Sequence, residues 1–221
     1  MHKPIVIVGA SAFAEVACNY FESYTDSVVE AFAVEDDYIN SSHFMGRPLI
    51  SLENIQTLYK PNEYSFFTAI VYTKMNTVRT RLFSIMKSKG YEPISFVSQN
   101  AFVSPEAVVS EHCFVMEMNT IQPFTRIGEN TILWSGNHIG HHSNIGKNCF
   151  ISSQVVVSGM STIEDNCFIG VNACIADNIS IGHSSWIGPG SVITTDIKPY
   201  SIVRSPKPIL SKISSDKFFS L

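Results

Sequence analysis

The sequence predicts two joined architectures: a Rossmann-like α/β domain over residues 1–100, then a three-sided parallel β-helix of hexapeptide repeats over residues 101–196, with a tail at 197–221. Three observations carry this. From Ala101 to Asp196 every sixth residue is aliphatic, through sixteen consecutive hexapeptides from Val103 to Ile193, and all but Leu133 are Ile or Val. The next position is often glycine (Gly128, Gly140, Gly146, Gly170, Gly182, Gly188). Before residue 101 that rhythm is absent, and β-branched runs alternate with helical stretches.

In the first domain, Pro4 to Val8 reads as a buried strand, followed by the turn Gly9-Ala10-Ser11 and a helix to about Glu22. Val28 to Val34 is a second strand, closing on Glu35 and Asp36, and Phe66 to Tyr72 a third. Met75 to Lys89 is helical, with Arg79, Arg81 and Lys87 among its polar residues, and Tyr91 to Val97 leads into the repeat. Strand–helix alternation of this kind builds a parallel sheet. A small-residue turn between strand and helix holds a phosphate on the helix N-terminus. Gly9, Ser11 and Ala14 stand where a dinucleotide fingerprint wants three glycines, which disfavours NAD and leaves a nucleotide diphosphate. Glu35 and Asp36, at the end of the second strand, are placed to accept hydrogen bonds from a base or ribose. The competing reading is a packing domain with a solvated acidic loop.

A period of six fits neither a helix nor an alternating strand. Three hexapeptides close a triangular coil of 18 residues, so residues 18 apart stack at about 4.8 Å, giving about five coils. Asn130, Asn148 and Asn166 then form a corner ladder, since Asn tolerates left-handed backbone and stacks through its amide. Gly128, Gly146 and Gly182 share a column, as do Cys113, Cys149 and Cys167, which read as small apolar fillers without metal-ligand spacing.

Three of the seven histidines fall between His138 and His142, in mid-prism. One coil on from His141 is Gly159. An imidazole beside a residue without a side chain leaves room for a ligand and an exposed backbone N–H, the base and oxyanion donor that acyl transfer needs. Zinc chemistry is the competitor, but adjacent His141 and His142 are expected to diverge and no second cluster completes a site. No metal is expected, and His112 and His183 are expected at the surface.

Hydrophobic content of 45%, 15% charged residues and a net charge of −4 indicate a well-buried protein and argue against nucleic-acid binding. Five cysteines without a framework pattern fit a reducing compartment, and no apolar run is long enough to span a bilayer. A cytoplasmic protein is expected.

Together these residues make the chain resemble bacterial left-handed β-helix acyltransferases of the sialic acid O-acetyltransferase and nucleotide-aminosugar N-acetyltransferase type. The match runs through Gly9-Ala10-Ser11, Asn100-Ala101, His141 to Gly146, and Ser158-Gly159. The resemblance implies His141 as general base with His142 beside it, Gly159 at the thioester of acetyl-coenzyme A as co-substrate, and a homotrimer with the coenzyme between adjacent prisms. It also implies a nucleotide-linked amino sugar on the first domain. The residue after the base is usually acidic and here is His142; a second coenzyme-contacting histidine corresponds to Phe150. The tail lacks the usual Gly-Asn-Pro-Ala turn, but Arg204 and Lys207 are candidates for the coenzyme 3′-phosphate. Trp134, Asn137 and His138 are candidates for sugar contacts, with Trp134 alternatively padding the trimer interface. The expected activity is N-acetylation of the amino sugar for surface polysaccharide or glycoconjugate synthesis. The alternatives are O-acetylation of a sugar hydroxyl, transfer of a longer acyl group, or a scaffold whose site has decayed.

Overall fold

The computed structural model describes residues 3–219, so the outermost residues of the first domain and of the tail lie outside it. The first domain runs β1 (Ile5–Val8), α1 (Ala12–Tyr24), β2 (Val29–Val34), a 3-10 turn (Asp36–Tyr38), β3 (His43–Phe44), β4 (Arg47–Ser51), α2 (Ile55–Leu58), β5 (Ser65–Thr68), α3 (Thr77–Ser88) and β6 (Glu92–Pro93). The sheet order is β3-β4-β2-β1-β5-β6, all parallel except the β3–β4 hairpin. Strands are added outward from β1 on one side and then on the other, which is the doubly wound pattern. The hairpin and α2 have no counterpart in the sequence expectation, and the strand expected over Phe66 to Tyr72 ends at Thr68. The residues beyond it form the loop that faces Gly9, where an added β-carbon would lie 2.9 Å from the Ala69 carbonyl oxygen.

The repeat folds into a left-handed parallel β-helix with three faces of two-residue strands. The first face has seven rungs from Phe96–Val97 to Ile202–Val203, the second six from Phe102–Val103 to Val192–Ile193, and the third five from Val108–Val109 to Ser180–Ile181. Strand pairing therefore begins before Ala101 and continues past Asp196, at both ends on the first face. The aliphatic column fills the interior from Val115 to Ile193; only Val103 and Val109, at the open lower end, are partly exposed.

The corners have one rule. From His112 to Gly190 every sixth residue has φ between 56° and 78°, through all fourteen positions. Only seven of these are Asn or Gly, so the fold imposes left-handed backbone on residues that pay about 1–2 kcal/mol for it. Side-chain hydrogen bonds at half of these corners or more offset part of that cost. Thr125, Thr131, Ser143 and Ser161 donate their hydroxyls to the carbonyl fifteen residues ahead. Cys113, Cys149 and Cys167 do the same with their thiols. The Asn130 amide donates to Asn148 Oδ1 at 2.7 Å, as a corner ladder requires.

The first domain docks on the first face. The outward residues of its rungs, Phe96, Phe114, Ile132, Phe150 and Phe168, are buried against α1, whose Phe13, Ala14, Ala17 and Phe21 complete one apolar cluster. A second set of contacts comes from α3. Arg79 is fully buried, and its guanidinium donates to the carbonyls of Ile70, Val71, Asn130, Asn148 and Cys149. Asn76 reaches Asn166 and Cys167 one coil higher. Burial lowers the Arg79 pKa to about 10, which leaves it charged at neutral pH.

His112, expected at the surface, is also buried. Its Nε2 accepts from the Thr68 amide at 2.8 Å and its Nδ1 lies 2.9 Å from Asn130 Oδ1. An amide oxygen only accepts, so the ring is neutral with its proton on Nδ1. It stacks on Phe67, joining β5 to the prism corner.

Candidate active site

The corner between the second and third faces carries His141. Its backbone N–H donates to Gln122 Oε1 at 2.9 Å, and its carbonyl accepts from Met160. The first of these bonds is a device of the repeat, because Glu164 binds the His183 N–H in the same way at another corner. The imidazole stands over Gly159: a β-carbon on that glycine would lie 2.8 Å from Cε1 and 2.9 Å from Nε2 of His141. Among the described residues no acceptor takes the Gly159 N–H. Gly140 lies directly below, where a β-carbon would come 2.6 Å from the Gly159 nitrogen. Imidazole, bare glycine and an amide without an acceptor among the described residues therefore meet at one point, with Gly159 buried beneath the ring rather than exposed as expected.

His142 occupies the left-handed corner position, with φ of 58°. The two adjacent rings do not diverge as expected. They stand nearly perpendicular, and Nδ1 of His141 lies 3.2 Å from Nδ1 of His142. Phe124, one coil below, packs on the His142 ring at 4.7 Å.

Other candidates separate from this corner. Phe150 is buried on the docking face between Trp134, Tyr72 and Phe168, so it presents no surface to a coenzyme. Asn137 is an interior corner residue whose amide is spent on the Trp134 carbonyl and the Val155 N–H, and it is not available to a sugar. His138 points outward on the second face, between Thr120 and Val156. Trp134 packs against Phe13, just inside the N-terminus of α1, and its buried indole N–H has no partner among the described residues. Arg204 and Lys207 are exposed and follow the last rung of the first face, away from His141.

In the first domain, Ser11 is the exposed N-cap residue of α1 and makes no side-chain cap bond. Glu35 is held by two hydrogen bonds from Arg81, at 2.7 and 2.8 Å, and that guanidinium holds its carboxyl below the usual carboxylate range. The Glu35 carboxylate is therefore committed to Arg81, one of the polar residues of α3. Asp36 is exposed at the start of the 3-10 turn. Gly9, Ser11, Glu35 and the Ala69 loop all lie at the carboxyl ends of β1, β2 and β5, the edge where doubly wound sheets bind ligands.

Two concavities lie elsewhere. One of about 490 Å³ is bordered by Met75, Trp186, Tyr200 and Ile202. The other, about 420 Å³, is bordered by Asn144, Glu164, Asp165 and His183. Neither is bordered by His141.

Gln122 and Gly140 are absent from the sequence expectation as site residues. Both were accessible by the 18-residue rule, since Gln122 stacks under Gly140 and Gly140 adjoins His141.

Residues 124–159 match the bacterial transferase hexapeptide family (six repeats), and residues 161–195 match the hexapeptide repeat of succinyl-transferase. No curated protein matches in sequence. Three solved structures share the fold over nearly the whole chain. Perosamine N-acetyltransferase from Caulobacter crescentus, in complex with CoA and GDP-perosamine, superposes with a TM-score of 0.82 at 20% identity, covering 93% of this chain and 95% of its own. The acetyltransferase domain of PglB from Neisseria gonorrhoeae, with acetyl coenzyme A, gives 0.81 at 20% identity, covering 93% and 97%. WeeI from Acinetobacter baumannii gives 0.71 at 23% identity, covering 91% and 96%.

Proposed function

For a chain that carries transferase hexapeptide repeats behind a Rossmann-like domain, we propose an acetyl-coenzyme A-dependent N-acetyltransferase acting on a nucleotide-linked amino sugar. The observation that carries this is the His141 ring standing over Gly159 beside a backbone N–H without an acceptor among the described residues. His141 Nε2 takes a proton from the amine as its nitrogen adds to the thioester carbonyl. The Gly159 N–H donates to the oxygen that becomes negative. When the tetrahedral adduct collapses, the carbon–sulfur bond breaks and the proton passes from His141 to the leaving sulfur, giving the amide and free coenzyme A. No step draws on a metal.

The likeness to a fold that holds CoA and GDP-perosamine supports both ligands. The nucleotide is assigned to Gly9, Ser11, Glu35 with Arg81, and Asp36, and the coenzyme phosphates to Arg204 and Lys207. The Trp134 N–H, beside Phe13, is assigned to the sugar side of the site.

A homotrimer belongs to the same proposal. The His141 corner needs a second wall, and apolar residues stand exposed at this corner (Met160 59%, Phe124 55%) and further along the second face (Phe102 59%, Val192 71%). A patch of this kind marks an association surface, and a second prism against it would turn the corner into a groove.

The test is thiol release from acetyl-coenzyme A with UDP-, dTDP- and GDP-linked amino sugars, comparing wild type with His141→Ala. Release with one amino sugar and a loss of about a hundredfold or more in the variant are expected. Silence with every amine, or release only with hydroxyl acceptors, would overturn the N-acetyltransferase reading.

A further inference from the structure

Two neutral imidazoles whose Nδ1 atoms lie 3.2 Å apart share a single proton between those atoms. If His141 owns it, His141 Nε2 is bare and can act as a base. If His142 owns it, His141 carries its proton on Nε2 and cannot. The site therefore has an active and an inactive tautomer, and the neighbour decides between them.

The surroundings favour the active one. The Cε1 side of His141, with Nε2 slightly nearer than Nδ1, lies against Gly159, whose methylene offers no acceptor to an Nε2–H, whereas Nδ1 has His142 within reach. Both rings are exposed, so a proton on His142 Nε2 can be donated to water, and the asymmetry between the two rings lies in the Gly159 contact of His141. The coils above and below supply Gln122, Phe124, Gly159 and Met160 to this corner, and Gln122 Oε1 is already taken by the His141 backbone. No carboxylate within the described residues bonds to either ring.

Resting on the acyl-transfer reading of this corner, we propose that His142 is the positioning residue of His141: its Nδ1 accepts a hydrogen bond from the His141 Nδ1–H and so holds the base with Nε2 bare. A neutral imidazole does here what an anionic partner does for a catalytic histidine elsewhere, fixing tautomer and ring orientation without bringing a charge.

The left-handed backbone at His142 suggests two informative variants. His142→Gly removes the ring at a φ that glycine adopts freely. His142→Asn also suits that φ, and its amide oxygen can take the place of Nδ1 as a non-titrating acceptor. His142→Gly should lower kcat roughly 10- to 100-fold, the usual cost of removing an orienting partner, with KM for acetyl-coenzyme A within about twofold. His142→Asn should recover most of the lost kcat. In wild-type protein labelled with nitrogen-15, imidazole spectra should show His141 protonated on Nδ1, with a nitrogen–nitrogen coupling across to His142.

A His142→Gly variant with wild-type kcat, or a His141 found protonated on Nε2, would overturn the pairing. The tautomer measurement uses no substrate. A correct tautomer with a silent amino-sugar panel would leave the pair standing and sink the activity; a reversed tautomer with active turnover would do the opposite.

Discussion

Gly159 and His112 show how much a single position carries. A β-carbon at Gly159 would fall within 2.8 Å of the His141 ring, and that ring, on an exposed corner, has room to swing aside. Gly159→Ala is therefore expected to melt close to wild type yet lose about a hundredfold in turnover, the order of cost for displacing a catalytic group by an ångström. Unchanged steady-state turnover would remove the ring–glycine contact from the mechanism. His112 acts on stability instead. Burial pushes its pKa down to about 3 from 6.5. The unfolded chain binds a proton there that the folded chain refuses, so its contribution is complete above about pH 6.5 and is lost as the pH falls toward 3. The slope is at most about 1.4 kcal/mol per pH unit. Urea unfolding between pH 4 and 7 should show wild type losing stability with acid more steeply than His112→Gln; parallel curves would contradict this. The sequence shows why Gly159 was findable and His112 was not. Gly159 answers to a spacing rule within one repeat, whereas His112 is buried by a strand contributed 44 residues earlier.

Among the elements, α3 and the Asn corner depend on each other. Left-handed corners turn carbonyls of Asn130 and Asn148 outward, where Arg79 collects them together with the carbonyl of Cys149. Arg79→Ala would leave buried carbonyls unpaired at about 1–3 kcal/mol each, so a loss of roughly 3 kcal/mol or more is expected by urea unfolding. A loss below about 1 kcal/mol would mean that water replaces the guanidinium. At Asn148, two substitutions separate backbone from side chain. Glycine keeps the left-handed backbone and loses the Asn130 amide bond, while alanine loses both, so Asn148→Ala should be about 1–2 kcal/mol less stable than Asn148→Gly. The Asn ladder was legible because Asn carries both properties the corner needs. The role of Arg79 was not, because a helical periodicity places arginine on the solvent side unless something outside the helix supplies five acceptors.

At the scale of the molecule, the interior of the prism is written in the sequence at one position in six, and the docking face is written one position earlier. Phe96, Phe114, Ile132, Phe150, Phe168 and Trp186 emerge as a row only when hexapeptides are sorted in threes. Read singly, Phe150 looks like a substitution in a coenzyme site. The apolar surface beside His141 makes the remaining prediction. Val156 lies on the second face next to His138, and Val156→Glu should dissociate the proposed trimer in sedimentation while leaving each prism folded. Turnover should fall with it, since the corner then loses its second wall; a fully active monomer would show that one chain suffices.

The docking of α3 also bears on how the chain is made. Asn76 finds its carbonyl partner at Cys167, 91 residues further along. A ribosome adding about 5–20 residues per second takes roughly 5–18 s to pass from Asn76 to that partner. Until Asn130, Asn148 and Cys149 follow, Arg79 lacks its prism carbonyls, and until the first-face residues Phe114 to Phe150 are made the aromatic flank of α1 is only partly covered. The nascent first domain is thus a half-finished surface awaiting its own downstream sequence, and a chain truncated before the prism would carry that surface permanently.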